Sequence, residues 1–286
     1  HNIDSDGNWS IVFPALPKGT YTIKATAEDI SFNIGTLEVK NIITITPALP
    51  EVEVLLLEDT GTSSTDDITK NPDLKVNVEE GSTIQLIEVK NEFGTLIETF
   101  NSLEDYNSAA LPDGKLEIKV TIENEFEETN SDSIEFILDT KAPEAPEILD
   151  VVDVNSDMSL LRFEGKGSQE GNTIQIIVAG VVIATAVVDV NGNWSADIDS
   201  LDIGDIYDVL AKEVDVAGNI SEESQSVSLH LSNVESITNV ANNDYIFTGE
   251  SNDKISINEN DSNDTLVVDG GEGTDTVDFI SLNEAV

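Results

Sequence analysis

Apolar and polar residues alternate along much of the chain, and the alternation recurs at fixed distances. The segments 81–86 and 171–176 are aligned copies, and both end in alternating aliphatic residues. A period of two is typical of a half-buried strand. Turn residues arrive every ten or so positions, and no convincing helical period is present. About seven strands fit in each copy, which predicts antiparallel β-sandwiches.

The repeat also predicts the domain organisation. The tetrapeptide at 7–10, Gly-Asn-Trp-Ser, returns at 192–195. A period near ninety residues is too long for a solenoid, so each copy should be a small domain. We expect a chain taken from a longer protein, with predicted domains at 1–46 (the second half of a module), 47–139, 140–231 and 232–286. Trp9 and Trp194 are predicted to anchor the cores of their modules.

The longest apolar run covers positions 176–188. It is too short for a membrane-spanning helix, which needs about 18 residues or more. The Val and Ile content around Ala179-Gly180 favours a buried hairpin instead. We therefore predict no membrane insertion.

The charge of the chain limits the classes of molecule that it is expected to bind. The chain has 57 acidic and 13 basic residues, a net charge of −44. Nucleic acid and anionic membranes require a basic face, so neither is an expected partner. Self-repulsion of this size favours bound or screening cations. With no cysteine and two histidines, the expected ion is oxygen-bound calcium, although a saline habitat would also account for the acidity.

The last predicted domain contains a different repeat, a polar residue followed by Asp, any residue and an aliphatic residue. Its aspartates occupy positions 244, 253, 264 and 275, and the final copy at 270–278 fits the nonapeptide G-G-x-G-x-D-x-U-x. Stacked turns of this kind would trap calcium between successive loops. The candidate ligands are Asp244, Asn252, Asp253, Asp264, Gly271, Gly273 and Asp275. An acidic hairpin region is the alternative, because the first three copies lack the paired glycines.

Other acidic segments are weaker candidates for calcium. The segments 4–8 and 189–193 place glycine fourth, whereas an EF-hand loop places it sixth, so glycine-centred turns are predicted there. At the junction before residue 140, Asp139 and the later Asp215 could hold an ion between an acidic loop and the linker. A solvated loop is the equally weighted alternative.

Three motifs carry a resemblance to a known family: Asp-Thr-Lys-Ala-Pro at 139–143, Gly-Asn-Trp-Ser at 192–195 and Asp-Val-Ala-Gly-Asn at 215–219. Together they resemble the bacterial Ig-like repeats of giant adhesins exported by type I secretion, over residues 1–231. In that family the linker and late-module aspartates ligate calcium, which implies Asp139 and Asp215. The first junction, at residues 44–47, has no linker aspartate. Residues 123–127, which correspond to the Asp-Val-Ala-Gly-Asn motif, also differ from it.

Residues 240–280 resemble the RTX calcium repeats of the same class of exported protein. The two resemblances imply an all-β chain of tandem Ig-like antiparallel β-sandwiches, followed by a short RTX-like calcium-binding β-segment. They also imply a secreted or cell-surface location in a bacterium.

The expected function is that of a structural spacer in a calcium-dependent adhesin, serving cell or biofilm adhesion as a monomeric tandem array. Calcium would rigidify the modules and drive folding after export, and a surface glycan or protein would be bound by other domains. No nucleophile–base pair or metalloprotease motif is found, so we expect no enzyme, and His230 is expected to be structural. A ligand-binding Ig-like module and the non-catalytic C-terminal region of an exported RTX hydrolase stay open as alternatives.

Overall fold

The computed structural model describes residues 6–13, 16, 19–45, 48–232, 236–237, 244–249, 252–257 and 266–279. Within these ranges the chain is nearly all β, as predicted, with one short helix. The chain divides into two compact units, His1–Leu57 with Pro72–Phe136 and Glu58–Asn71 with Ile137–Val286. The four predicted domains stay a prediction.

The first half of the chain forms short, mainly antiparallel sheets. Its elements are β1 (Gly19–Glu28), β2 (Ile34–Ile45), β3 (Val52–Leu56), β4 (Ile68–Thr69), β5 (Leu74–Val78), β6 (Thr83–Asn91), β7 (Leu96–Phe100), α1 (Leu103–Asn107), β8 (Gly114–Glu123) and β9 (Thr129–Leu138). In the first unit β1 pairs with β2, β3 with β5, and the order β9-β8-β6-β7 forms a larger sheet. The end of β9 belongs to the second unit, where it pairs in parallel with β4.

In the first unit, the alternation of apolar and polar residues determines which face of the larger sheet is buried. In β8, Leu116, Ile118, Val120 and Ile122 are each at most 2% exposed, whereas the residues between them are half-buried. Tyr106 of α1 is also buried, and its hydroxyl donates to the carbonyl of Pro72 over 3.0 Å. The burial of alternate residues on one face is what a sandwich sheet requires.

The second unit contains the remaining strands. They are β10 (Glu147–Asp153), β11 (Leu161–Lys166), β12 (Thr173–Val178), β13 (Val181–Val187), β14 (Asn193–Ile198), β15 (Ile206–Val214), β16 (Val227–Ser232), β17 (Ser236–Ile237), β18 (Asp244–Thr248), β19 (Lys254–Ile257), β20 (Val267–Asp269) and β21 (Thr276–Phe279). The order β10-β11-β14 makes one sheet, and β13-β12-β15-β16-β18-β20 makes the second.

These two sheets share one apolar core, which makes this part of the unit a β-sandwich. Trp194 of β14 belongs to the core and is 3% exposed. Its ring lies against Gly165, where a Cβ atom would overlap the indole. The prediction that Trp194 is a core anchor is confirmed.

The same prediction for Trp9 is wrong. Trp9 is 49% exposed. In the first 45 residues the structure describes strands β1 and β2, and neither is an equivalent of β11, which supplies the wall against Trp194. Since the described residues around Trp9 offer no such wall, its ring keeps contact with water.

The apolar run at 176–188 forms the predicted hairpin. Strands β12 and β13 pair in antiparallel register around Ala179 and Gly180, whose φ angles are 50° and 78°. Two consecutive positive φ angles are typical of the tight turns that suit twisted hairpins. Strand β13 is the sheet edge and several of its valines are exposed, so the hairpin is less buried than expected. Among the described residues no helix is long and apolar enough to cross a membrane.

The second unit has a buried carboxylate at a position where the first unit has an isoleucine. The paired residues Ile84 and Ile122 of the first unit correspond to Ile174 and Glu213 in the second. Glu213 is fully buried, so an acid stands where the repeat otherwise places an isoleucine. An unpaired buried charge would be costly.

Three donors satisfy this carboxylate. The backbone N–H and the hydroxyl of Ser168 donate to Glu213 over 2.8 and 2.7 Å, and the side-chain amide of Asn172 donates over 2.6 Å. Hydrogen bonds to a charged acceptor are stronger than those between neutral groups. The loop at 167–172 is thereby fastened to β15.

We predict that Glu213→Ala lowers the free energy of unfolding by roughly 3 kcal/mol, because it leaves three buried donors without an acceptor. Chemical denaturation in a Trp9→Phe background, in which Trp194 is the sole tryptophan, measures the loss by fluorescence. Glu164→Ala, at an exposed position of β11, is the control and should unfold close to the unmodified chain. Equal stability of both variants would contradict the role assigned to Glu213.

Candidate functional site

The C-terminal strands stack in parallel, as the spacing of the aspartate repeat predicts. Strands β16, β18 and β20 form one parallel series, and β17, β19 and β21 form another. Ile255 pairs on one side with Ile237 and on the other with Val277, so Asp253 and Asp275, of the second and fourth copies of the repeat, fall in register one turn apart. We call the described residues of this segment, 236–237, 244–249, 252–257 and 266–279, the coil.

The glycines of the last repeat allow one turn to lie on the preceding one. Gly271 has a φ of 66°, and a Cβ atom there would lie 2.6 Å from the carbonyl oxygens of both Thr248 and Gly249. A Cβ atom on Gly270 would overlap the carboxylate of Asp275. Gly273, with a φ of 150°, is also in a region that favours glycine. The turn thus brings a carboxylate and two backbone carbonyls to neighbouring positions.

Side chains also join the successive turns. The Asp275 carboxylate accepts a hydrogen bond from the backbone N–H of Asp253 over 3.0 Å. The Asn252 side-chain oxygen accepts from the N–H of Thr274 over 2.7 Å. The candidate residues Asn252, Asp253 and Asp275 are therefore brought together.

Asp244 has a different environment. Its side chain is 1% exposed, and one carboxylate oxygen lies 3.3 Å from Nε2 of His230 on β16. Asp244 thus contacts the sandwich at the start of the coil. Asp264, the remaining candidate, lies outside the described residues.

The donor set suits a hard cation. The groups at the turn of the last repeat are a carboxylate and carbonyl oxygens, the ligands that calcium prefers. In the described part of the chain, no three acidic, histidine or cysteine side chains form a cluster able to hold a metal. A calcium ion in the coil would therefore need backbone carbonyls as well as carboxylates. The adjacent residues Gly270 and Gly271 lie against the Asp275 carboxylate and against two backbone carbonyls, respectively.

Asp139 and Asp215 also lie close together. The two carboxylate oxygens of Asp215 accept from the backbone and side-chain amides of Asn219, over 2.8 and 2.9 Å. The Asn219 side chain also donates to the carbonyl of Asp139 over 2.8 Å. Asn219 thus links the two positions that the family resemblance implied. Their role as calcium ligands stays a prediction.

The segment 58–71 contacts this same turn, which the sequence did not reveal. Thr62 N–H donates to the carbonyl of Val216 over 3.2 Å, and the Thr60 hydroxyl donates to that of Ala217 over 2.7 Å. The Lys70 ammonium donates to the carbonyl of Gly218 over 2.6 Å. Three successive carbonyls of the turn are satisfied in this way. The lysine, one of few basic residues in the chain, is the signal that could have indicated the contact.

The segment at 189–193 is the predicted glycine-centred turn. Asp189 accepts from the backbone amides of Asn191 and Asn193, each over 2.8 Å, and Gly192 has a φ of 76°. The amide of Asn193 and then that of Asn191 hold the pKa of Asp189 below its ordinary value. The carboxylate caps its own turn.

Similar proteins are found by structure and not by sequence. No protein-family model matches the chain, and no curated protein matches it. Solved structures similar to it include a tetra-tandem repeat in the extending region of a large adhesion protein (18% identity, TM-score 0.29) and a 1.5-MDa bacterial ice-binding adhesin (16%, 0.27). The matches cover 79% and 73% of this chain, and 61% and 72% of the other chains.

Another similar structure is the BSP domain of a biofilm-associated protein, with 19% identity and a TM-score of 0.24. The match covers 64% of this chain, which spans 29% of the other. Fibronectin(III)-like modules of Clostridium thermocellum CbhA also match, with 11% identity, a TM-score of 0.40, and 64% and 94% of the two chains covered. Likeness at this level does not assign a function.

We predict that Gly61→Ala loosens the turn at 215–219. Gly61 has a φ of 104°, and a Cβ atom there would overlap the carbonyl oxygen of Val216. Faster hydrogen exchange of the Thr62 and Asn219 amides, measured by NMR, would show the loosening.

Gly81→Ala is the matched control, because Gly81 has a similar φ of 88° and open space around it. Both variants carry the backbone cost of alanine at positive φ. Faster exchange at Thr62 and Asn219 in both variants, or in neither, would contradict the prediction.

Proposed function

We propose that this chain is a structural part of a secreted bacterial cell-surface adhesin, in which sandwich modules act as spacers. Calcium binds in the coil and orders it after export from the cytosol. The observation that carries the proposal is the parallel stacking of strands directly after a sandwich module, with a glycine- and aspartate-containing turn at 270–275. The spacer role is supported by the sequence repeat and by the buried apolar residues of the two units.

The charge of the chain supports the calcium part of the proposal. A net charge of −44 opposes compaction until cations bind or screen it. Calcium is scarce in the cytosol and plentiful outside the cell, so the coil would stay loose for export by a type I route and become ordered afterwards. When bound, calcium would supply positive charge between successive turns.

Individual residues have separate roles in this proposal. Asp275 supplies the carboxylate, and Gly271 and Gly273 let the chain turn tightly enough to expose carbonyl oxygens. Asn252 and Asp253 hold the preceding turn in register. Asp139 and Asp215 are proposed as ligands of a second, junctional calcium ion.

We predict that Asp275→Asn weakens calcium binding about tenfold or more, since the number of charged ligands tunes calcium affinity. Asparagine can still accept the hydrogen bond from Asp253 N–H, so the effect reports the lost charge. Isothermal titration calorimetry with calcium, and with magnesium in parallel, measures the change.

Asp199→Asn is the control, because Asp199 is exposed and the same unit of charge is removed. It should bind calcium as the unmodified chain does. An equal loss of affinity in both variants, or magnesium binding as tight as calcium binding, would contradict the proposed site. Either result would indicate bulk charge screening instead.

A further inference from the structure

Strand β18 is buried on both faces, unlike an ordinary sandwich strand. All five of its residues, Asp244–Thr248, are buried. Tyr245 and Phe247 belong to the core of the sandwich, and their rings stack with centroids 6.5 Å apart. Ile246 points to the opposite face and packs with Ile255 in the core of the coil. One strand therefore supplies side chains to two cores.

The backbone of β18 is shared in the same way. It pairs in parallel with β16 of the sandwich over residues 228–232, and with β20 of the coil over residues 267–269. The Tyr245 hydroxyl also donates to the carbonyl of Leu149 on β10 over 3.2 Å. The carboxylate of Asp244 reaches His230 on β16, as described above. Strand β18 is therefore bound to the sandwich by backbone pairing, by two aromatic rings and by two polar contacts.

Because of these contacts, the order of the coil and the stability of the sandwich depend on each other. Buried aromatic side chains each remove about 150–250 Å² from water, and two of them leave the sandwich core if β18 detaches. Any ligand that binds the ordered coil better than the detached one raises the stability of everything the ordered coil supports. By reciprocity, the sandwich also favours ligand binding by the coil.

We propose that β18 transmits the calcium state of the coil to the sandwich, so that calcium bound in the coil stabilises the core around Trp194. This inference rests on the proposed calcium site and adds a consequence of calcium binding there, which is the stabilisation of the sandwich. The sandwich in turn acts as the template on which the coil orders. An adhesin built this way would couple the stability of this sandwich module to extracellular calcium.

Trp194 provides the readout, since it belongs to the same core as Tyr245 and Phe247. In a Trp9→Phe background it is the sole tryptophan. We expect saturating calcium to raise the thermal midpoint followed by Trp194 fluorescence by about 5 °C, and magnesium to leave it nearly unchanged. Calorimetry on the same protein reports calcium binding itself.

The outcomes separate this inference from the proposed function. Calcium binding with a raised Trp194 midpoint supports both. Calcium binding with an unchanged midpoint overturns the coupling and leaves the calcium site standing. Absence of calcium binding overturns both.

Phe247→Ala tests the route of transmission. It removes a ring from the sandwich core while Ile246 and Ile255 keep their contacts in the coil. The calcium-dependent shift at Trp194 should fall by at least half, although calorimetry still detects calcium binding. If Phe247→Ala does not fold, the milder Phe247→Leu should reduce the shift in the same direction.

Val187→Ala is the control for this variant, because Val187 lies on the edge strand β13 and is 64% exposed. It should keep the full calcium-dependent shift. A full shift in the folded Phe247 variant would overturn the proposal.

Discussion

The last strand of the sandwich, β16, is hydrogen-bonded on both sides, and the second unit depends on this arrangement. On one side it pairs antiparallel with β15, and on the other it pairs in parallel with β18. The first pairing completes the sandwich, and the second begins the coil. A sheet edge that would otherwise offer unpaired backbone groups is thereby covered. One sheet of the antiparallel module thereby continues into β18 and β20 of the coil.

The acidic composition is accommodated mostly by hydrogen bonds. The ion pairs that lysine and arginine form among the described residues, such as Lys115 with Glu135, are at least partly exposed and contribute little to stability. Many aspartates instead cap turns, and at Asp29 the Asn33 side chain, followed by backbone amides, lowers the pKa of the carboxyl. At pH values above the ordinary pKa of aspartate, such a lowered pKa stabilises the folded state. This stabilisation is lost as the pH falls through the lowered pKa of the folded state. Buried Glu213 is likewise held by neutral donors.

Local pattern predicted much of the fold. Alternation identified β6 and β12, and the apolar run at 176–188 identified the hairpin around Ala179-Gly180. The Gly-Asn-Trp-Ser motif identified the buried Trp194, and the aspartate repeat indicated stacked turns. Each of these features depends on residues near one another in sequence. The features that the sequence did not reveal depend on long-range pairing. Alternation does not specify which edge accepts another strand, so it does not predict the parallel addition of β18 to β16. The continuous apolar run at 245–247 is the available signal, because a strand buried on both faces has no polar alternation.

The most direct test of the account is hydrogen exchange at the amides of Ile246, Ile255 and Val268, with calcium, magnesium or chelator present. These residues form the core of the coil. The account predicts strong protection in calcium and rapid exchange in magnesium or chelator. Equal protection in all three solutions would show that the coil is ordered without calcium, and would contradict the claim that calcium drives its folding.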